Sequence, residues 1–170
     1  MIDVFVGLGS NLGDPASQLS RAQAALAALP FTRLMALSAV YRSRAVGPGE
    51  QPDYLNAVAR LTTELSAEML LDALQDIESR QGRQRVERWG ARTLDLDLLF
   101  YGDEQLDTPR LRVPHPRIAE RDFVLYPLRD LTGTNWVLPD GRELDTLVDS
   151  CPPDHLERTD IDLGLRSPAD

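Results

Sequence analysis

Two carboxylates sit two residues apart in the run Leu94-Asp95-Leu96-Asp97-Leu98. On a strand, that spacing puts both on one face, about 6.6 Å apart along the chain, and turns the leucines to the other. Such a pair suits a hard cation: Mg²⁺ takes one or two carboxylates together with substrate phosphates and water. Two ions clamping one phosphate chain stand roughly 3.5–4 Å apart, a span that two such carboxylates can serve. Taken alone, the pair equally suits a half-exposed strand with polar outer positions. Its neighbourhood favours chemistry. Residues 80–121 hold nine of the eighteen arginines, against seven acids, in a chain whose net charge is -9. Planar guanidinium forks take phosphate oxygens bidentately, so carboxylates beside a fan of arginines are what a polyphosphate requires.

Other side chains carry weaker signals. Tyr54 and Asn56 share a strand face, and an aromatic ring beside an amide suits a flat heterocycle as well as it suits the edge of a core. Gln75 and Glu78 lie three apart on a helix, off its apolar stripe, where they meet either a ligand or solvent. His115 is set rigidly between Pro114 and Pro116. Gly7-Leu8-Gly9 reaches Gly13 with one residue too many for the dinucleotide fingerprint, and no phosphate-loop pattern occurs. Phosphate recognition therefore falls to side chains and metal.

Composition removes several alternatives. Every basic side chain is arginine, which excludes a catalytic lysine, a lysine Schiff base and a Walker-A lysine. A chain this acidic is a poor match for nucleic acid or an anionic membrane. Its single cysteine, Cys151, allows no internal disulfide, and with two histidines no closed cysteine/histidine zinc site is available. Neither a signal peptide nor a membrane span is read, so the expected location is cytoplasmic. A length of 170 residues suits one domain. It is assigned to 1–150, with 151–170 as a tail that wraps the surface or frays.

The elements that must position these groups follow from periodicity. Alternating Val4, Val6 and Leu8 predict a first strand over 2–8. Asp14 and Pro15 open a helix that Pro30 ends, and Leu34–Tyr41 reads as a second strand. Tyr54–Thr62 is the third strand, Ser66 caps a second helix ending before Gly82, and Leu94–Tyr101 is the fourth strand. Arg83–Arg92 lacks an apolar period and reads as a loop; the stretch Gly82–Trp89 is expected to move as a lid. Phe123–Leu131 and Leu144–Val148 are helical. The order is β-α-β-β-α-β: an α+β, ferredoxin-like antiparallel sheet with helices on one face.

The run Arg88-Trp89-Gly90-Ala91-Arg92-Thr93-Leu94-Asp95-Leu96-Asp97-Leu98-Leu99 resembles the signature of the 6-hydroxymethyl-7,8-dihydropterin pyrophosphokinase family. Spaced motifs extend the resemblance over residues 1–150: Gly7 to Asp14, Ser38 to Arg42, Gln51 to Asn56, Gln75 with Glu78, Val113-Pro114-His115 and Arg121-Asp122-Phe123. It implies a ferredoxin-like folate-pathway enzyme that transfers pyrophosphate from ATP to the pterin hydroxymethyl group and releases AMP. Asp95 and Asp97 would hold two Mg²⁺. Tyr54 and Phe123 would sandwich the pterin, with Ser43, Val46 and Asn56 at its edge and Trp89 capping the site. Gln75, Glu78, Leu98, Arg110, His115 and Arg121 would form the ATP side. Arg83, Arg85, Arg88 and Arg92 would close over the phosphates, with Arg83 and Arg92 stabilising the transition state. Val86 and Pro116 depart from the family pattern, which often has a basic and an aromatic residue there. The partners implied are ATP and 6-hydroxymethyl-7,8-dihydropterin, without nucleic acid or membrane, and a monomer. The competing readings are a single-phosphoryl kinase of a related heterocycle and a ferredoxin-like RNA-binding module. The second of these would show an RNP pattern of exposed aromatics, which the sequence lacks.

Overall fold

Alternation along β1 (Ile2–Ser10) sends Val4, Val6 and Leu8 into one core and Phe5 into a second, on the opposite side of the sheet. The computed structural model describes residues 1–44, 52–82 and 94–163. After β1 come α1 (Pro15–Ala27), β2 (Thr32–Leu37), β3 (Tyr41–Ser43), β4 (Tyr54–Thr63), α2 (Ala67–Arg80) and β5 (Asp95–Tyr101). The two-residue strands β6 (Leu106–Asp107) and β7 (Arg112–Val113), a 3₁₀ turn at Ile118–Glu120, α3 (Asp122–Thr132), α4 (Leu144–Asp149) and β8 (Glu157–Arg158) complete the chain. The main sheet runs β5-β1-β4-β3-β8, with β2 on the far end of β4, and every pairing is antiparallel.

Local chemistry explains the helix starts. The Asp14 carboxylate accepts from the Ser17 amide at 3.3 Å, and Pro15 fills the first helical position, where no N–H is needed. Ser66 Oγ accepts from the Met69 amide at 3.2 Å and caps α2 in the same way. Leu19, Ala22 and Leu26 of α1 and Leu70, Leu74 and Ile77 of α2 then meet Leu94, Leu96 and Leu98 in the first core. Each such leucine contributes about 1.5–3 kcal/mol through burial.

Two expectations need correction. The second strand is not continuous: β2 ends at Leu37 and β3 begins at Tyr41. Ser38 interrupts the ladder, because its hydroxyl oxygen takes the Val58 amide at 2.9 Å where a backbone carbonyl would otherwise stand. Nor are helices confined to one face. Val124, Leu125 and Leu128 of α3, with Leu144 and Val148 of α4, cover Phe5, Val58, Leu99 and Phe100. The register between β1 and β5 slips by one residue beside Leu99, so Leu99 and Phe100 both face this second layer. Among the described residues, the sheet face beside the first turn of α3 is left uncovered, and the site lies there.

Candidate active site

The open part of the sheet is built by cross-strand pairing. Gly9 stands opposite Asp95 on one side and Asn56 on the other, and Asn56 stands opposite Tyr41. One row to one side, Gly7 lies between Asp97 and Val58; one row to the other side, Tyr54 pairs with Ser43. Directly opposed residues point to the same face. The carboxylates of β5 and the aromatic–amide pair of β4 thus share one surface, separated by two glycines that put no side chain between them. A Cβ at Gly9 would come within 3.3 Å of Asn56 Oδ1, so the glycine keeps that floor flat.

Over this floor lies a cavity of about 410 Å³. Ser43, Tyr54, Asn56, Asp95, Asp97, Arg121 and Phe123 all line it, which brings seven of the expected site residues to one place. Asn56 is buried and donates from Nδ2 to Ser43 Oγ at 2.7 Å, so its amide orientation is set by the adjacent strand. Phe123 enters from the first turn of α3. Arg121, just before that helix, stacks on the Phe123 ring at 5.7 Å and reaches within 3.8 Å of Asp97 Oδ2. Its guanidinium therefore bridges the aromatic half of the cavity and the carboxylate half.

His115 flanks this junction. Burial, followed by the Arg121 charge, pushes its imidazole below the usual range, while Asp97 pulls the other way. Its Nδ1 accepts from the Arg117 amide at 3.2 Å, which leaves the proton of the neutral ring on Nε2. Among the described residues no group of three or more His, Cys, Asp or Glu side chains gathers as a closed metal site. Asp95 and Asp97 instead make an open, all-oxygen pair, which fits Mg²⁺ completing its shell from phosphate and water.

The remaining expected residues are distributed differently. Glu78 is 5% exposed and its Oε2 accepts from the Leu96 amide at 2.9 Å, so it braces the backbone between the two aspartates from beneath. Leu98 is buried in the first core, Gln75 is on the exposed face of α2, and Arg110 pairs with Asp72 of α2 at 2.6 Å. None of these four lines the cavity among the described residues. Val46, Arg83, Arg85, Arg88, Trp89 and Arg92, with the expected lid, lie outside the described residues. Sequence reasoning missed Arg44 and Glu120 and counted Arg117 only within the arginine-rich stretch; all three also line the cavity. It noticed Gly7 and Gly9 only as a motif. Their alternation on a strand whose other face is Val4, Val6 and Leu8 was the available signal.

Comparison with known proteins gives the family. The family model described as 7,8-dihydro-6-hydroxymethylpterin-pyrophosphokinase (HPPK) matches residues 5–133. The 2-amino-4-hydroxy-6-hydroxymethyldihydropteridine pyrophosphokinase of Pseudomonas aeruginosa is 52% identical over 155 residues, covering 91% of this chain and 95% of that protein. The Haemophilus influenzae protein of the same name is 47% identical over 148 residues, covering 87% and 92%. In fold, the chain is similar to Plasmodium falciparum HPPK-DHPS wild type with pterin and p-hydroxybenzoate, at a TM-score of 0.67 and 12% identity. That match covers 88% of this chain and 43% of the longer one, so this chain spans less than half of it. With the family match running through the strands and helix that build the cavity, the chain belongs to the 7,8-dihydro-6-hydroxymethylpterin pyrophosphokinase family and is a pyrophosphokinase.

Proposed function

We propose that this enzyme transfers the terminal diphosphoryl group of ATP to the hydroxymethyl oxygen of 6-hydroxymethyl-7,8-dihydropterin, releasing AMP, as a step of folate biosynthesis. The observation that carries the reading is the joining, in one cavity, of a heterocycle pocket (Ser43, Tyr54, Asn56, Phe123) to a phosphate end (Asp95, Asp97, Arg121). The strand order, with the fourth core strand beside the first and the third beside the second, supports the ferredoxin-like assignment.

Within this reading, Tyr54 and Phe123 hold the flat pterin and Asn56, locked by Ser43, reads its polar edge. The attacking hydroxymethyl oxygen then lies toward β5. It forms a bond to the β-phosphorus as the bond from that phosphorus to the α,β-bridging oxygen breaks. AMP leaves with the bridging oxygen, and the hydroxyl proton passes to solvent. Two Mg²⁺, held by Asp95 and Asp97, would neutralise charge along the phosphates when bound. Arg121 adds a fixed positive charge at the same end, and His115 offers an Nε2–H donor. Arg83, Arg85, Arg88 and Arg92 are assigned to the phosphates by the family resemblance, which also gives Arg83 and Arg92 to the transition state and Trp89 to the closing of the site. Positioning and charge stabilisation dominate such transfers, so no strong general base is required.

Incubation with ATP, Mg²⁺ and the reduced pterin tests this directly. AMP and a diphosphorylated pterin are expected. ADP would instead establish single-phosphoryl transfer, and absence of nucleotide turnover would sink both enzyme readings.

A further inference from the structure

The transverse row that carries the site continues past it. From Asp95 it runs through Gly9, Asn56 and Tyr41 to Arg158 of β8, a strand contributed by the C-terminal segment. At Tyr41 the row meets α3. The Tyr41 hydroxyl donates to Asp130 Oδ2 at 2.9 Å, and Arg158 Nη1 stands 3.7 Å from the other oxygen of Asp130. Asp130 is seven residues, two turns, after Phe123, so both lie along one face of α3. Between them Pro127 supplies no N–H for the Phe123 carbonyl, which loosens the first turn from the rest of the helix. That first turn is held from outside instead: the Asp154 amide donates to Asp122 Oδ2 at 2.8 Å. The same segment grips β3, since the Thr159 amide and hydroxyl both donate to the Val40 carbonyl, at 2.9 and 2.8 Å. It ends with Leu163 buried in the first core.

We infer that the C-terminal segment 152–163 is a working part of the substrate cavity: by tying β3 and α3 together through Tyr41, Asp130 and Arg158, it sets the gap between Asn56 and Phe123 that receives the heterocycle. Tyr41 and Asp130 are positioning residues, because they reach the cavity only through Asn56, Ser43 and Phe123. The inference rests on the pyrophosphokinase reading above and adds to it a determinant of pterin affinity that lies outside the cavity.

The test uses the full chain with Tyr41→Phe, Asp130→Ala and Asp130→Asn, followed by steady-state kinetics for each substrate, pterin binding by equilibrium fluorescence, and thermal unfolding. Tyr41→Phe and Asp130→Ala are expected to raise KM and Kd for the pterin about tenfold, leaving kcat and KM for ATP within about twofold. Asp130→Asn keeps an oxygen acceptor for Tyr41 and is expected to stay within about threefold of wild type. Unchanged pterin affinity in Tyr41→Phe, or parallel weakening for both substrates, would show the network to be structural only and overturn the proposal. If Asp130→Ala fails to fold, the near-isosteric Tyr41→Phe decides the matter alone. A wild-type chain that neither binds pterin nor forms AMP overturns the functional reading and the strap with it. An active wild type with unaffected variants overturns the strap alone.

Discussion

At the scale of single residues, the site depends as much on what is missing as on what is present. Gly9 leaves the floor between Asn56 and Asp95 bare, and its backbone is close enough that one added methyl meets Asn56 Oδ1 at 3.3 Å. Asn56 cannot yield freely because Ser43 holds its amide. Gly9→Ala is therefore expected to raise KM for the pterin about tenfold with little effect on KM for ATP, measured by varying each substrate at saturation of the other. Asp97 faces the opposite demand, since its charge matters more than its shape. Asp97→Asn keeps the volume and is expected to lower kcat by about 10²–10³-fold while leaving the far-UV circular dichroism spectrum unchanged. A lost spectrum would reassign Asp97 to the fold. Both aspartates were legible from a two-residue spacing beside arginines. Gly9 became legible only once its strand neighbours were known.

Among the elements, β5 is the one whose placement decides the chemistry. It is the end strand of the sheet, so its outward amides need partners other than a neighbouring strand. Glu78 of α2 supplies one, taking the Leu96 amide at 2.9 Å between the two aspartates. Helical spacing marked Glu78 as off the apolar stripe and left two readings open, ligand contact or solvent. Tertiary packing removes the solvent reading, because α2 lies under β5 and the carboxylate meets backbone there. Removing it strands a buried N–H. Glu78→Ala is expected to cost about 1–3 kcal/mol, or a fall in Tm of roughly 2–4 °C for each kcal/mol, while Glu78→Gln retains most of the stability. Denaturant titration of the three proteins checks this. Retained Tm in Glu78→Ala would mean that β5 holds its place without the brace.

For the molecule as a whole, the lack of lysine has a practical consequence. With all eighteen basic side chains arginine, no ammonium titrates near pH 10, and alkaline stability reports mainly on tyrosines. Burial, then the Asp130 hydrogen bond and charge, push Tyr41 from 10.0 up to about 12, against smaller pulls from Arg158 and Arg129. The neutral phenol is thus favoured in the folded state. Its contribution is complete below the unfolded value of 10.0 and disappears as pH rises from there through about 12. Tyr101, raised by burial and by Glu104, acts in the same sense and is untouched by a change at Tyr41. Tyr41→Phe should accordingly flatten the decline in unfolding free energy across that window relative to wild type. Denaturant curves at several alkaline pH values measure it, and an identical slope in the two proteins would place the linkage elsewhere.

The amino-acid order alone made legible the four core strands, the two core helices with their caps, and the same-face pairs Asp95 with Asp97 and Tyr54 with Asn56. These depend on short-range rules: period two for strands, period 3.6 for helices, and side-chain capping within three residues. Folding across the chain was needed to show that α3 and α4 cover much of the second face, that Ser38 splits a strand, and that two glycines form the cavity floor. It alone placed Glu78 beneath β5 and the C-terminal segment across β3 and α3. Each of those facts turns on which distant segments become neighbours, as when Arg158 comes to stand beside Tyr41. Periodicity carries no record of such pairings, because they are selected by packing and register across the whole sheet.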